Sequence, residues 1–550
     1  MRVTRRPAPS LQSQTSKRVP TVTAPDASQN NPSTETDILI VGAGMAGLYS
    51  AWRLQRAGYA VRIVEQLHRV GGRLQTDHVR INDQMIEAEE GGMRFMKTQR
   101  QLLTLIEQLN LAVGIMPFPM GSADNLYYLR ERRFTVRQAQ ADPSIWGQIY
   151  RLDPGSKGKQ PGQILWDIRN SILLQNAQNP DTWESSPENW TQFRLEYTYN
   201  GIALYRWGFW ALLDDFGLSQ DCIEMLYSSS GFIAPYDQLI NAGSAFQLVA
   251  DFINPNFLAL RGGYATLPAA LATQLRAHRV PIDLDHEVRA VERLDDGRFR
   301  VVARHRNQDL ALNCRKLILA VTQLGLRRLA PFAPMLRDNG QFMTDIDAVA
   351  DMPLGKINLF YPRNWWTARL GIRNGPCFTD LALAMVYFFE RPDSAAEHDG
   401  AGHITIYTDL YRSNFWTELQ ALGDPFHSKE FPVNPPNTQA ASRAVVTAVT
   451  RQMKQLFGID DIPEPVLTTF KDWIDPRFGD GDHSWRIGVV DAQVRERLRS
   501  PAPGVHVCGE SFSDDQAWVN GALRSVDEML AAHFGLDPMP FLAQLPDAPQ

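Results

Sequence analysis

Cysteine is scarce in this chain. There are four, Cys222, Cys314, Cys377 and Cys508, far apart, with neither a CxxC pair nor a metal-type Cys/His spacing. That argues against a disulfide framework and a thiolate metal centre and fits free thiols in a reducing compartment; no metal is expected. Long apolar runs are missing as well. The longest, LALAMVYFF from Leu381 to Phe389, has nine residues, about half of what a membrane helix requires, so no membrane span is expected. Nor is there an excess of positive charge. A net charge of -6 argues against a general binder of nucleic acid or membrane surface, since both need a basic face to neutralise phosphate or anionic lipid.

What is present is an ordinary globular composition, 44% apolar and 21% charged. At 550 residues the chain exceeds the size at which one core keeps growing, so two or three structural units are expected. Residues 1–36 set Arg2, Arg5, Arg6, Lys17 and Arg18 among Ser, Thr, Gln, Asn and Pro, with hardly any large apolar side chain. This composition cannot bury enough surface to offset chain entropy and reads as a disordered tail. The pair Arg5-Arg6 is not followed by an apolar h-region, which favours a cytoplasmic location over export.

The stretch DILIVGAGMAGLYSAWRLQRAGYAVRIVEQ changes period at one point. Ile38 to Val41 form a continuous apolar run of the kind buried in a parallel sheet; Gly42, Gly44 and Gly47 follow at GxGxxG spacing. From Ala46 onward Leu48, Ala51, Leu54 and Ala57 recur at helical spacing until Gly58, a natural stop. Glycines there let the backbone turn tightly and approach a pyrophosphate, while the helix N-terminus offers it free N–H donors. The next strand, YAVRIVE, ends in Glu65, 18 residues after Gly47, placed to accept from a ribose diol. Strand, turn, helix and terminal acid in register predict a dinucleotide site.

Six residues beyond Glu65 comes GGR, Gly71 to Arg73. With this second glycine pair the chain resembles the flavin-dependent amine oxidases, which include monoamine oxidases and L-amino-acid oxidases. The resemblance implies FAD rather than NAD, with Arg73 near the phosphates. The C-terminal GVHVCGESFSDDQAWVNGALRSVDEML again reads strand (Val505 to Cys508), loop and helix, the helix running from about Ala517 to Leu530. By the resemblance, Gly509-Glu510 supplies a carboxylate to the ribityl or phosphate region, and the helix N-terminus beside Trp518 and Val519 points at the isoalloxazine. RGGYATLPAALATQL, Arg261 to Leu275, resembles the family's GG-x-x-x-LP signature; two strands around the turn Asp295-Asp296-Gly297 follow, and the adenine contact through backbone falls at Val288. Then KLILAVTQLGLRRL resembles the turn closing the FAD domain, with Gln323 where the family usually has proline, a departure expected to be harmless.

The fold class expected from this is α/β: a discontinuous Rossmann-like FAD-binding domain (residues 37–100, 255–340 and 480–535), a helical substrate or cap insertion (101–254), a mixed α+β substrate-binding domain (341–479) and a C-terminal tail (536–550). The cofactor-binding residues implied are Gly42, Gly44, Ala46, Gly47, Glu65, Gly72, Arg73, Gly92, Met93, Arg94, Val288, Gly509, Glu510, Trp518 and Val519. The stretch FKDWIDPRFGDGDHSW has no cysteine where monoamine oxidases attach the flavin, so non-covalent FAD is expected.

Arg94, in EEGGMRF, is a permanently ionised side chain among glycines and a phenylalanine, and needs water or a fixed anion. GGMRF resembles the L-amino-acid oxidase motif whose arginine pairs with the substrate carboxylate, a bidentate match of two N–H donors to two oxygens. The competing reading pairs it internally with Glu89 or Glu90. By the same resemblance Lys356 is the catalytic lysine that holds a water near flavin N5. Trp485 and Trp518 flank the substrate, and Tyr387, or alternatively Tyr411, is a second carboxylate ligand. The implied reaction is oxidative deamination of an L-amino acid, by hydride transfer from Cα to flavin N5, giving a 2-oxo acid, ammonia and hydrogen peroxide. Asp214, Asp215, Asp237, Asp480 and Asp482 lean the side-chain preference toward arginine or lysine. The rival readings are an amine or polyamine oxidase, an amino-acid 2-monooxygenase, and an FAD-binding scaffold or regulatory protein. Expected partners are the small-molecule amino acid and oxygen, and the expected assembly is a homo-oligomer, a dimer.

Overall fold

The computed structural model of the protein describes residues 35–253, 256–390, 400–435, 437–475 and 477–541. Residues 1–34 of the expected N-terminal tail and 542–550 of the expected C-terminal tail lie outside the described residues, while Glu35 and Thr36 already belong to the first strand, Glu35–Val41.

A seven-stranded sheet forms around that strand. Its apolar run is buried on both faces, so it takes a central place and pairs in parallel with Val61–Val64 on one side and with Gln308–Leu319 on the other. Ile282–Asp283 extends the parallel order at one edge, and Val505–Val507 adds to the second half of Gln308–Leu319. The first half of that long strand pairs antiparallel with Phe299–His305, which pairs with Glu287–Arg293. The helix Met45–Arg56 covers one face, and Gly58 at φ +91 ends it. Against it packs the C-terminal helix Val519–Phe534, closed by Gly535 in the left-handed region.

A second seven-stranded sheet runs Leu467–Asp472, Leu354–Tyr361, Gly402–Asp409, Met385–Glu390, Gly375–Thr379, Leu126–Leu129, Arg132–Thr135. Its last hairpin comes from the segment expected to be helical. LYYL and RRFT are β-branched or aromatic enough to pair, and Arg130 and Glu131 at positive φ make the tight turn. The rest of 101–254 is mainly helical, its core built on Trp146, Trp190, Phe193, Phe209, Tyr236 and Phe246.

Two local expectations need correction. The C-terminal helix starts at Val519 rather than Ala517: Ala517 sits at φ +67 with its N–H given to Glu510 Oε1 (2.7 Å), and Trp518 is extended, so neither can be helical. Gln323 is not a neutral stand-in for proline. It is buried at the first position of the helix Gln323–Leu329, and its amide donates to the Ile346 and Val349 carbonyls (2.6 and 3.1 Å), a tie proline cannot make.

Candidate active site

Two cavities meet inside the protein. The longer, about 2010 Å³, follows the C-terminal ends of the parallel strands; the shorter, about 690 Å³, lies between the second sheet and the helical segment. Gly91, Gly92, Leu354, Tyr407, Asp482 and the run 517–519 border both, and so mark the junction. The first volume exceeds the roughly 300–1,000 Å³ of an ordinary small-molecule pocket, as an extended dinucleotide demands; the second falls within that range.

The long cavity fits FAD on its backbone as well as its size. Gly42 has φ +102, and a Cβ on Gly47 would stand 1.9 Å from Gly42 O, so the helix can start this close to the strand only without a side chain there. Gly44, ahead of the helix, gives no side-chain cap, which leaves the N–H groups of the first turn at Met45 and Ala46 for a ligand phosphate. Gly44 bridges to Gly71, and a Cβ on Gly72 would come within 3.1 Å of Gly44 Cα. Gly47 itself is not on the cavity wall; it acts through packing.

Glu65 lines the cavity, its carboxylate held by the N–H groups of Ala43 (2.7 Å) and Leu67 (2.9 Å); burial raises its pKa, and those bonds oppose the rise. Val288 lines it too, beside a bulge between Val288 and Ala290 that breaks the ladder with the neighbouring strand. Arg73 donates to Gly481 O (2.6 Å) and Glu510 Oε2 (2.7 Å). Behind them His483 stands between Glu510 (3.0 Å) and Asp480 (3.1 Å), and Asp480 also accepts from Leu324 N. Burial alone would neutralise this group of charges. Arg73 and His483 nevertheless keep Glu510 at about 2, and Glu510 and Asp480 lift His483 to about 9.

Lys356, on the strand Leu354–Tyr361, reaches the long cavity. Its ammonium donates to the carbonyls of Glu89 (3.1 Å) and Gly91 (2.5 Å), and burial lowers its pKa to about 8. Three donors on the group leave one N–H for something else.

Arg94 lines the short cavity and is 6% exposed. Its guanidinium carbon lies 4.7 Å from the Phe257 ring centre, 5.0 Å from Phe252 and 5.4 Å from Phe118, and Nη1 donates to Tyr387 OH at 2.8 Å. No carboxylate among the described residues pairs with it. The internal-pair reading fails on geometry: Glu89 accepts from Tyr264 N and Thr76 Oγ1, and Glu90 accepts from Asn358 and Thr469. Met93 also lines the short cavity alone, so Met93 and Arg94 border the short cavity rather than the long one that fits FAD; Gly92 touches both.

Tyr387 is brought to the site; Tyr411 is 61% exposed and lines neither cavity. Trp518 borders both cavities, its indole N–H held by Asp251 (2.8 Å). Trp485 is not part of the site. It is 1% exposed among Val349, Phe512 and Val494 in a core cluster, with its N–H on Ser513 O, and lines neither cavity. Its strand, Asp482–Trp485, alternates faces, so the side chain that reaches the cavities is Asp482, three positions earlier. Of the other acids, Asp214 and Asp215 accept from Gln220 and Asn200 near the surface, Asp237 caps its own turn at Leu239, and Asp480 is bound to His483. Sequence reasoning missed Tyr407, Phe252, Phe118 and Phe257; the strand Gly402–Asp409 is buried on both faces, so its pattern does not single out Tyr407.

No described helix is long and apolar enough to cross a membrane. Achacin of Lissachatina fulica is 24% identical over 533 residues, covering 91% of this chain and 94% of achacin. An L-amino-acid oxidase of Crotalus adamanteus is 22% identical over 494 residues, 89% of this chain and 85% of that protein. A solved structure of putrescine oxidase bound to putrescine superimposes with a TM-score of 0.64 at 18% identity, covering 92% of this chain and all of the other. The family description "flavin containing amine oxidoreductase" matches residues 45–525. The glycine cradle, the long cavity and this match over most of the chain make the protein a member of the flavin containing amine oxidoreductases, with FAD as its cofactor.

Proposed function

We propose that the protein is an FAD-dependent L-amino-acid oxidase that deaminates its substrate to a 2-oxo acid, ammonia and hydrogen peroxide. The observation that carries this reading is Arg94: a buried guanidinium with no carboxylate partner among the described residues, caged by aromatic rings in the cavity that opens onto the FAD site. A buried charge without a partner is costly, and an amino-acid carboxylate removes that cost on binding. The L-amino-acid oxidase of Crotalus adamanteus among the relatives fits the same reading.

FAD supplies the hydride acceptor and the reaction with oxygen. The protein's share is positioning. Arg94 and the Tyr387 hydroxyl hold the carboxylate, and Trp518 and Tyr407 wall the junction so that Cα faces the flavin. Lys356 keeps one N–H beside the cofactor cavity for the water that the family resemblance implies, and the uncapped N-terminus of Val519–Phe534 favours negative charge at the junction. The FAD is non-covalent in this proposal.

The wall beyond Arg94 sets the side-chain class. Tyr127, Phe232, Tyr236, Leu248 and Phe378 line it, with Gln140, Gln160 and Gln163 toward the outer end. Four of the five acids that suggested arginine or lysine stand off this cavity, and the fifth, Asp482, is at the flavin end. A large neutral side chain therefore suits the wall better than a cationic one.

A hydrogen peroxide assay over L-amino acids, D-amino acids and amines tests the reading. Turnover of L-leucine or L-phenylalanine ahead of L-arginine and L-lysine supports it, and turnover of amines alone replaces it with the amine-oxidase reading, which the likeness to putrescine oxidase keeps in view. An amide product in place of a 2-oxo acid indicates the monooxygenase. A flavin that stays oxidised with every L-amino acid under nitrogen indicates a scaffold.

A further inference from the structure

The described lining of the short cavity carries one positive charge and one negative one. Among its described lining residues Arg94 is the only cation and Asp482 the only carboxylate. They come from unrelated parts of the chain: Arg94 follows the hairpin Thr76–Ile81 and Gln84–Glu89, and Asp482 opens the strand Asp482–Trp485. Tyr407 lies within electrostatic reach of both.

Asp482 is held by its backbone rather than by its side chain. It pairs with Met352, and the preceding Gly481 packs so closely on Met352 O that an added Cβ would stand 2.0 Å away. No donor among the described residues bonds its carboxylate. This differs from the neighbouring acids Asp480 and Glu510, both tied to His483. Asp482 is thus an acid without a structural partner at the junction where the reacting carbon must lie.

The chemistry requires a group there. A hydride can leave Cα only if the nitrogen lone pair stabilises the positive charge left behind, and an α-ammonium has no lone pair. We propose that Asp482 holds the substrate's α-ammonium group and takes its proton, so that Arg94 and Asp482 grip the two ends of the zwitterion; this rests on the amino-acid-oxidase reading above. In the step an N–H bond breaks and its electron pair stays on nitrogen. The proton forms an O–H bond on the Asp482 carboxylate, and the positive and negative charges both disappear. The proton later passes to solvent, restoring the carboxylate.

The surroundings suit a base of this kind. Burial, with Glu510 next, pushes Asp482 up to about 7, while Arg73 and His483 pull it down and Asp409 pushes it up further. A base is most useful when it titrates near the working pH. Lys356, which borders the long cavity, is tied to two carbonyls and is itself a cation, so it cannot receive the ammonium.

The test uses the FAD-loaded protein and two ligands that it cannot oxidise: an α-methyl amino acid, a zwitterion without a Cα hydrogen, and the matching deaminated carboxylic acid. Binding is read from the change in flavin absorbance. In Asp482→Asn the zwitterion should bind about 10- to 100-fold more weakly, while the deaminated acid binds as well as before or better. Arg94→Met should weaken both. In the wild type, the zwitterion's affinity should fall as the pH drops through about 7, because a protonated Asp482 no longer attracts an ammonium, and the deaminated acid should not share that fall. The wild-type arm stands even if the variant fails to fold. Equal weakening of both ligands in Asp482→Asn, a loss confined to substrates with basic side chains, or parallel pH curves overturns the role of Asp482 and leaves the oxidase reading intact. Failure of the wild type to bind either ligand overturns both.

Discussion

Replacing Arg94 by methionine is the sharpest test of the substrate site. Methionine fills the aromatic cage with a flexible apolar chain, so the contacts to Phe118, Phe252 and Phe257 are largely kept while the charge and the bond to Tyr387 are lost. A bidentate carboxylate contact comprises two charge-assisted hydrogen bonds, and bonds to charged groups are worth about 1.5–3 kcal/mol each. Because the guanidinium is already buried and ordered, little of that is offset by fixing the side chain. The loss is about 3–4 kcal/mol, or roughly 100- to 1,000-fold in kcat/KM at about 1.4 kcal/mol per factor of ten. Steady-state peroxide formation should show it mainly in KM for the amino acid. The decarboxylated amine with the same side chain has no carboxylate to lose, so its kcat/KM should stay level or rise as a like charge is removed. The ratio of acid to amine then falls by the full factor, with flavin content unchanged. An equal drop for acid and amine would refute the reasoning, because it would mean that Arg94 only holds the loop in place.

Gly47→Ala puts a methyl group 1.9 Å from Gly42 O, so the helix Met45–Arg56 must move off the strand; the purified variant should show a flavin-to-protein absorbance ratio near background. In the charged group behind Arg73, Glu510 sits at about 2 against an ordinary 4.5, so its contribution to stability is present above pH 4.5 and lost as the pH falls toward 2. His483 is raised from 6.5 to about 9; its contribution is complete below pH 6.5 and lost as the pH rises through 9. A His483→Gln variant should therefore have a flatter thermal-stability profile between pH 6.5 and 9 than the wild type, and an unchanged slope there would show that the imidazole is not charged in the fold. Trp485→Phe removes one hydrogen bond to Ser513 O and leaves a gap in a buried cluster; denaturant titration should show a loss of about 1–4 kcal/mol with KM for the substrate unaltered, and a raised KM would return Trp485 to the site.

The FAD cradle was legible because its requirements are local. GxGxxG, the acid at Glu65, GGR and Gly509-Glu510 each constrain backbone within a few residues of themselves, and the first sheet follows from the apolar run Ile38 to Val41 and its parallel partners. The misreadings have an equally specific source. Trp485 and Asp482 share one strand, and residue type alone favoured the tryptophan as a wall of the pocket; strand phase sends it into a core and presents the acid instead. The hairpin 126–135 sits inside a mainly helical segment and leaves little trace in the sequence, because its strands are four residues each, too short for alternation to stand out.

From the chain alone one obtains a dinucleotide site, its FAD class by resemblance, and an arginine in need of an anion, since backbone sterics at the glycines and a permanent charge do not depend on distant residues. Tertiary structure alone decided that Arg94 pairs with neither Glu89 nor Glu90, which are taken by Tyr264, Thr76, Asn358 and Thr469. It also decided that Tyr387, Tyr407 and Asp482, dispersed over nearly a hundred residues, face one cavity. That cavity exists only where the second sheet and the helical segment meet, and its contents are set by packing between segments far apart in the chain.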